Sequence, residues 1–218
     1  MPSTLLLGAN VTAVLGHRHL WVGGVEHNDI SVKNLMYDKF NEDRGILNDY
    51  DLAHLEGNPR PSGTERTGTM PFMALDLLTE NAWDGMVERR YRHDCESFAW
   101  VLLWICCRYD NGKEIRNAPL SRFITHSYVG CFEAKYAIVP TLLQAITATA
   151  SYKGSWRSAT SLIAYFVAEQ QNRDNRNLQE TPTRTPHEPN ADEEMIKAVE
   201  SKRIYTMGSN ESEFAQGS

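Results

Sequence analysis

The sequence feature that most constrains the fold is HDCESFAWVLLWICCRY, which covers residues 93–109. From Phe98 to Cys107 this run is apolar on nearly every side of a helix, and such a helix has to be buried in a core. The run is too short to cross a bilayer, because a membrane helix needs about 20 apolar residues. It therefore predicts a buried helix at the centre of a folded domain.

Further helices are predicted on both sides of this one. Residues 9–22 carry apolar side chains at helical spacing, and Gly23 and Gly24 end the pattern, as glycines do at helix carboxyl ends. After the central helix, the same spacing predicts helices over Tyr136–Thr149 and Ser158–Glu169.

Short strands are predicted in the front part of the chain. The most economical pairing is a hairpin in which Leu35–Asp38 lies against Gly45–Asn48, joined by the turn KFNEDRG. Residues 54–69 are rich in Gly, Pro, Ser and Thr, which predicts a long loop. Such loops in compact domains are usually either functional or disordered. The predicted fold is therefore mainly α, with one small β-hairpin near the front.

Composition changes sharply near residue 171. The segment NRDNRNLQETPTRTPHEPNADEE is polar and contains prolines, so it lacks the apolar surface that would stabilise a fold. We therefore expect a folded domain over residues 1–171 and a disordered polar tail over residues 172–218. A short helix over Asp192–Arg203 is expected inside this tail.

Charge and cysteine content limit the function classes. The formal net charge is -6 and no concentrated basic run occurs, which argues against a nucleic-acid partner. The four cysteines form no C-x-x-C pair and no zinc spacing with histidines. Reduced, buried thiols are typical of the cytoplasm or nucleus, so an intracellular protein with no membrane partner is expected.

Two acidic segments carry the chemistry. The first is HNDISVKN at residues 27–34, and the second is NDYDLA at residues 48–53. Phosphoryl transfer needs a carboxylate that orients the attacking hydroxyl and accepts its proton, and it needs magnesium on the phosphates. Magnesium prefers oxygen ligands, which carboxylates and amides supply. Because the predicted hairpin returns the chain, Asp49 can face the loop that carries Asp29 and Asn34.

These segments resemble known kinase motifs. HNDISVKN resembles the H-R-D-x-x-x-x-N catalytic loop of protein kinases, and NDYDLA resembles their D-F-G-L-A magnesium motif. RTGTMPFMALDLL is similar to the end of a kinase activation segment, and HDCESFAWVLLW is similar to the helix that follows it. Together they most resemble the fungal-type protein kinase family, over roughly residues 9–170. The resemblance implies the α+β kinase superfamily and its mostly helical carboxy-terminal lobe.

The resemblance also implies roles for individual residues. Asp29 would be the catalytic base, and Asn34 and Asp49 would hold Mg²⁺ on the phosphates of ATP. Lys33 would reach the transferred phosphate, and Tyr50 would be the packing aromatic after the metal-binding aspartate. The implied activity is transfer of the ATP γ-phosphate to a serine or threonine hydroxyl of a protein substrate.

The sequence departs from the kinase pattern at Asn28 and Asp76 and keeps it at Asp94. Asn28 replaces the H-R-D arginine, which normally braces a phosphorylated activation loop, so activation by that route is not expected. Asp76 replaces the glutamate of A-P-E and is one methylene shorter, so its buried ion pair is expected to be altered or missing. Asp94 takes the place of a buried aspartate that braces loop amides.

A kinase amino-terminal lobe would carry a glycine-rich loop and a phosphate-pairing lysine. Neither occurs before His27, and Lys33 is the first lysine of the sequence. We therefore expect the amino-terminal lobe to be absent, the fragment to transfer phosphate poorly alone, and a partner to supply the missing lobe. Two alternatives stay open at this point: a small-molecule phosphotransferase of the choline-kinase or aminoglycoside-phosphotransferase type, and a non-catalytic pseudokinase-like interaction module.

Overall fold

The computed structural model describes residues 3–38, 40, 44–59, 68–138 and 146–179, with side chains described from residue 8 to residue 176. It divides the chain into two units, 1–179 and 180–218. The second unit lies outside the described residues, and so does the helix expected over Asp192–Arg203.

The central helix α3, Tyr91–Arg108, lies where the apolar run predicts it. Its middle is sealed from solvent, since Trp100 is 1% exposed and Leu103 is 0% exposed. Trp100 packs edge-on against Phe123 at 5.6 Å between ring centroids. Burying several such side chains, at about 1.5–3 kcal/mol each, makes this helix the main source of apolar stabilisation.

The first helix, α1, spans Ser3–Val22 and begins six residues before the predicted start. Its predicted end is confirmed, because the amide of Gly24 bonds to the Trp21 carbonyl at 2.9 Å. Gly24 has a positive φ of 80°, which glycine adopts at little steric cost. The helix packs against α3 and carries His17 into the interior, where that side chain is 1% exposed.

The predicted hairpin is confirmed within one residue at each end. Strand β2, Leu35–Tyr37, pairs antiparallel with β3, Gly45–Leu47, in the register Leu35 to Leu47. Two further two-stranded sheets were not predicted, because strands of two residues give no alternation pattern. They pair β1, Val25–Glu26, with β4, His54–Leu55, and β5, Tyr109–Asp110, with β6, Lys113–Glu114.

The helix predicted over Tyr136–Thr149 is described only in part. Residues 136–138 are the end of helix α4, which spans Tyr128–Ile138, and residues 146–149 are not helical. Residues 139–145 of this prediction lie outside the described residues. Ser127 explains the early start, since its hydroxyl accepts the Gly130 amide at 3.2 Å and so satisfies a free donor of the first turn. Ser127 could have indicated the start of α4 from the sequence, but a prediction based only on apolar spacing does not consider capping residues.

The last described helix, α5, spans Lys153–Gln179 and is longer than predicted at both ends. It continues eight residues into the predicted tail, because tertiary contacts stabilise a polar segment that periodicity does not predict to be helical. Arg173 Nε lies 3.8 Å from the Asp76 carboxylate, and Gln170 Nε2 donates to Asp76 at 3.2 Å. The rest of the predicted tail lies outside the described residues.

Asp76 is the centre of this anchor. Arg92 bonds its carboxylate directly, and His93 Nε2 lies 3.3 Å away. Burial alone would raise the pKa of Asp76, but the bond from His93 and the charges of Arg92 and Arg173 outweigh it and lower the pKa. The ion pair that was expected to be altered or missing at this position is present, and it joins α3 and α5.

Over its described residues the protein is mainly helical, with three small antiparallel sheets. None of the described helices is long and apolar enough to cross a membrane. Short helices fill the connections between α1 and α5. They are Met70–Phe72, Asp76–Leu78, α2 at Glu80–Trp83, Ser121–Phe123 and Ala150–Tyr152.

Candidate active site

The loop over residues 27–34 joins β1 to β2 and holds the first acidic segment. Its backbone lies deep in the molecule, since His27, Asn28, Ser31 and Asn34 are all buried. A buried loop must find partners for its polar backbone groups inside the protein. The contacts below show that neighbouring elements supply those partners.

Asp29 has a hydrogen-bonded carboxylate. Its Oδ2 accepts a bond from Asn34 Nδ2 at 3.0 Å. Its Oδ1 accepts from both the backbone amide and the hydroxyl of Thr69, each at 2.7 Å. Three donors from two segments therefore fix the plane and direction of this carboxylate.

Asn34 closes the loop on itself. Its Nδ2 donates to the backbone carbonyl of Asp29 at 2.9 Å as well as to the Asp29 carboxylate. Both amide hydrogens are thus directed towards Asp29, so Oδ1 is the atom of Asn34 with lone pairs to offer elsewhere. The backbone carbonyl of Asn34 also accepts the Asn48 amide at 2.9 Å.

This last bond extends the hairpin by one pair beyond Leu35 and Leu47. Asp49 therefore follows directly after a residue that is bonded to Asn34. Asp49 has a positive φ of 64°, in the left-handed region that aspartate tolerates better than most residues, and it is exposed. The hairpin thus brings the Asn48–Asp49 turn beside the Asp29–Asn34 loop, as the sequence predicts.

His27 forms hydrogen bonds to both the Asn48–Asp49 turn and the Asp29–Asn34 loop. Its Nε2 lies 3.1 Å from the Asn48 carbonyl, and its Nδ1 lies 3.3 Å from the Asp29 amide. Nδ1 must accept from the amide, so Nε2 carries the proton and donates to Asn48. Burial lowers the pKa of His27, which favours this neutral form. The Tyr50 ring packs on His27 at 4.7 Å between centroids, as expected for the packing aromatic.

Asp94, at the start of α3, lies beneath the loop with no exposed surface. Its Oδ2 accepts from His17 Nε2 at 2.9 Å and from the Asn28 amide at 3.4 Å. The prediction that Asp94 braces a loop amide is confirmed. Burial alone would raise the pKa of Asp94, but Arg89 and His17 outweigh it and keep the pKa below its ordinary value.

Thr69 belongs to the segment GTMPF, which lies over the loop. Gly68 is required there, because its φ is 128° and an added Cβ would sit 3.2 Å from the Asn28 carbonyl oxygen. Such a contact is tighter than most Cβ atoms tolerate, and the conformation itself disfavours L side chains. The glycine therefore lets the chain approach closely enough for Thr69 to reach Asp29.

The residues after Thr69 are fixed by two buried charged side chains. Lys135 of α4, fully buried, donates to the Met73 carbonyl at 2.5 Å and lies over the Trp100 ring at 4.4 Å. Glu96 of α3 accepts the Leu75 amide at 2.9 Å. Burial lowers the pKa of Lys135 to about 8 and raises that of Glu96. Together with the bond from the Thr69 amide to Asp29, these contacts hold both ends of residues 69–75.

Two contributors to this site were not found from the sequence. His17 is one of two histidines on α1, and the sequence gives no sign that it has a buried partner. Arg89 is one of several arginines close together near the start of α3. His17 bonds Asp94, 77 positions away, and Arg89 bonds Asn28, 61 positions away, and no local pattern predicts such pairs. Lys33, which was predicted, is exposed on the loop, and its role stays a prediction.

The donor set fits magnesium by type, with one amide oxygen and one exposed carboxylate. Within the described ranges, no three His, Cys, Asp or Glu side chains are grouped as a metal site. Asn34 and Asp49 supply one carboxylate between them, so the phosphates and water would have to supply the remaining ligands, as they commonly do for magnesium.

The described site therefore consists of an aspartate–asparagine loop, a hairpin that returns an Asn-Asp turn to this loop, and a Gly-Thr segment bonded to the aspartate. Residues 3–106 match the family model described as fungal protein kinase. This match confirms the resemblance inferred from the motifs, over the part of the chain that runs from α1 almost to the end of α3. No curated protein matches the chain.

Proposed function

We propose that this chain provides the catalytic-loop side of a serine/threonine-type protein kinase, which transfers the γ-phosphate of ATP to a protein hydroxyl. The observation that carries the proposal is the fixed Asp29 carboxylate, bonded by Asn34 and Thr69 beside the turn that holds Asp49. A carboxylate held in this way can orient an incoming hydroxyl without reorganising during the reaction.

Asp29 has the role of the base. It accepts the proton of the substrate hydroxyl as the hydroxyl oxygen forms a bond to the γ-phosphorus, and the bond from that phosphorus to the ADP oxygen breaks. General-base assistance of this kind contributes about 10²–10⁴-fold to a rate. Since Thr69 already donates a hydroxyl to Asp29 Oδ1, a substrate hydroxyl would approach the same carboxylate beside it.

Asn34 and Asp49 have the role of holding the metal and, through it, the nucleotide. Mg²⁺ bound there would neutralise charge that develops on the phosphates. Asn34 would offer its amide oxygen, since its amide nitrogen is bonded to Asp29. Asp49 would offer its exposed carboxylate. Its backbone has the left-handed conformation, in the turn that follows the hairpin.

Lys33 has the role of an electrostatic contact to the transferred phosphate. It stands next to Asn34 on the same loop and is exposed. An ammonium group on a flexible stem can follow the phosphate as it moves from ATP to the hydroxyl. The proposal for Lys33 rests on this placement and on the resemblance.

Thr69 favours a protein substrate over a small molecule. The segment that begins at Gly68 is bonded to Asp29 and is supported further along by Lys135 and Glu96. Such a fixed segment beside the base offers an edge along which an extended peptide can lie. Small-molecule kinases of the choline-kinase type share the acidic loop but lack a GT-x-P-F-M-A segment.

Two measurements on the purified chain test the proposal. Binding of Mn²⁺–ATP is followed by electron paramagnetic resonance, and phosphate transfer to a mixed serine/threonine peptide library is followed with radiolabelled ATP. We expect Asp49→Asn to weaken Mn²⁺ binding by about tenfold or more, because it removes the charged ligand. We expect Asp29→Asn to leave Mn²⁺ binding within about twofold and to lower any transfer by about 10²–10⁴.

The matched control is Asp84→Asn, which changes an exposed aspartate remote from the loop and should alter neither quantity. Mn²⁺ binding that is indifferent to Asp49→Asn contradicts the proposal. Transfer that continues unchanged in both Asp29→Asn and Asp49→Asn indicates a contaminating kinase and also contradicts it. Weak transfer by the isolated chain, together with Asp49-dependent Mn²⁺ binding, is the expected result.

A further inference from the structure

Asn28 is the residue on which the catalytic loop turns. It adopts a positive φ of 69°, a conformation that costs a non-glycine residue energy unless its surroundings impose it. Its amide donates to Asp94 Oδ2 at 3.4 Å, and its carbonyl accepts from Arg89 at 2.6 Å. Both backbone polar groups of one strained residue are thus held by a buried acid and an arginine.

Arg89 joins these two partners to each other. The same terminal nitrogen that bonds the Asn28 carbonyl also lies 3.2 Å from Asp94 Oδ1. The Arg89 side chain is 13% exposed and that of Asp94 is 0% exposed. Hydrogen bonds between charged groups are stronger than neutral ones, and more so where water is excluded.

The polar side chains around Asn28 come from three elements. Arg89 precedes α3, Asp94 lies in its first turn, and His17 comes from α1. The guanidinium therefore already has a carboxylate partner inside the protein.

We propose that Arg89 is a positioning residue that holds the catalytic loop in its ordered form through its bonds to Asn28 and Asp94. This rests on the proposed function, because the loop matters as the carrier of Asp29. Arg89 fixes Asn28, Asn28 fixes the direction of the next residue, and the Asp29 carboxylate is thereby placed where Thr69 and Asn34 meet it.

Hydrogen exchange at the Thr69 amide can report the effect of changing Arg89, although the two residues are not bonded to each other. Its proton is bonded to Asp29 Oδ1 at 2.7 Å. Exchange of that proton with solvent should therefore report the position of Asp29. In Arg89→Met, which has a similar length and no donors, we expect the Thr69 and Asn28–Ile30 amides to exchange about tenfold faster, while the Leu103 amide in the core keeps its rate.

Arg89→Lys is the conservative variant, since one ammonium can donate to both partners if it reaches them. We expect exchange at Thr69 to be intermediate between the wild-type protein and Arg89→Met. Arg90→Met is the matched control, because the neighbouring Arg90 side chain is 41% exposed and lies 3.9 Å from Glu88 at its nearest ion pair. It should leave Thr69 exchange unchanged.

The proposal is overturned if Thr69 exchange is the same in Arg89→Met as in the wild-type protein. If Arg89→Met does not fold, Arg89→Lys decides: unchanged exchange at Thr69 and Asn28–Ile30 overturns the proposal, and local acceleration with an unchanged Leu103 rate supports it. These exchange rates do not depend on phosphate transfer. A failure of the proposed function, seen in the Asp49→Asn and Asp29→Asn assays, is therefore distinguishable from a failure of the Arg89 proposal.

Discussion

The two acidic segments of the candidate site are held very differently. The loop around Asp29 is buried and has partners from α3 and the Gly68–Thr69 segment. The turn around Asp49 is exposed, and Tyr50 and Leu52 beside it are 40% and 42% exposed. Both segments carry similar residues, so the difference comes from what packs against them.

In the proposed function these two regions have different tasks. The buried loop would hold the Asp29 carboxylate in a fixed direction, while the exposed turn would keep the Asp49 carboxylate available to a metal and a nucleotide. A further bond joins the two regions, from Asn28 Nδ2 to the Leu52 carbonyl at 3.2 Å. The following predictions test whether stability and ligand binding separate in this way.

The largest expected effect is on the buried side. Asp94→Ala removes the acceptor of His17, Arg89 and the Asn28 amide and leaves Arg89 without its carboxylate. Breaking a buried charge pair typically costs about 3–5 kcal/mol, and we expect a loss of that size in the free energy of unfolding. Urea denaturation followed by circular dichroism measures it, and a loss below about 1 kcal/mol would contradict the buried network.

The next effect is a pH dependence from His93, which is buried beneath Asp76. Its Nδ1 lies 3.1 Å from the Arg90 amide, and burial lowers its pKa to about 4. The unfolded chain therefore binds a proton between about pH 6.5 and pH 4 that the folded protein does not. The free energy of unfolding should fall by up to about 3 kcal/mol as the pH drops through this window.

His93→Gln should flatten this slope, because it removes the titrating ring. His126→Gln is the control, since His126 is exposed and should leave the slope unchanged. Denaturant melts at several pH values between 4 and 7 measure the slopes. Equal slopes in the wild-type protein and His93→Gln would show that other groups cause the acid sensitivity.

A smaller effect should come from the link between the two regions. Asn28→Gly keeps the left-handed backbone accessible but removes the bond to the Leu52 carbonyl. We expect a loss of about 1 kcal/mol, the usual value of one hydrogen bond, with faster amide exchange in residues 50–53. Asn28→Ala should cost more, because alanine also disfavours the positive φ. Equal losses in the two variants would contradict a strained backbone at this position.

The smallest effect on stability should come from the exposed side. Asp49→Asn keeps a residue that tolerates the left-handed turn, and surface changes of this kind usually stay within about 0.5 kcal/mol. The same variant should nevertheless lose most Mn²⁺ binding. Thermal melts and Mn²⁺ titrations of one preparation compare the two quantities, and a large loss of stability would remove the contrast between the regions.

The sequence by itself determined the elements whose signals are local. The apolar run at Phe98–Cys107 specifies a buried helix, and Gly23–Gly24 end α1 because glycine adopts the required backbone. The hairpin and the kinase resemblance also followed from short patterns, and the family match over residues 3–106 confirms that resemblance. Asp29, Asn34 and Asp49 could be selected from the sequence because their residue types and spacing are enough to indicate their chemistry.

Tertiary structure decided what holds those residues in place. The polar end of α5 depends on Arg173 reaching Asp76. Arg89 meets Asn28 across more than sixty residues, and Thr69 meets Asp29 across forty. Such pairs have no sequence period, because the energy that favours them comes from excluding water around charges that only the folded chain brings together.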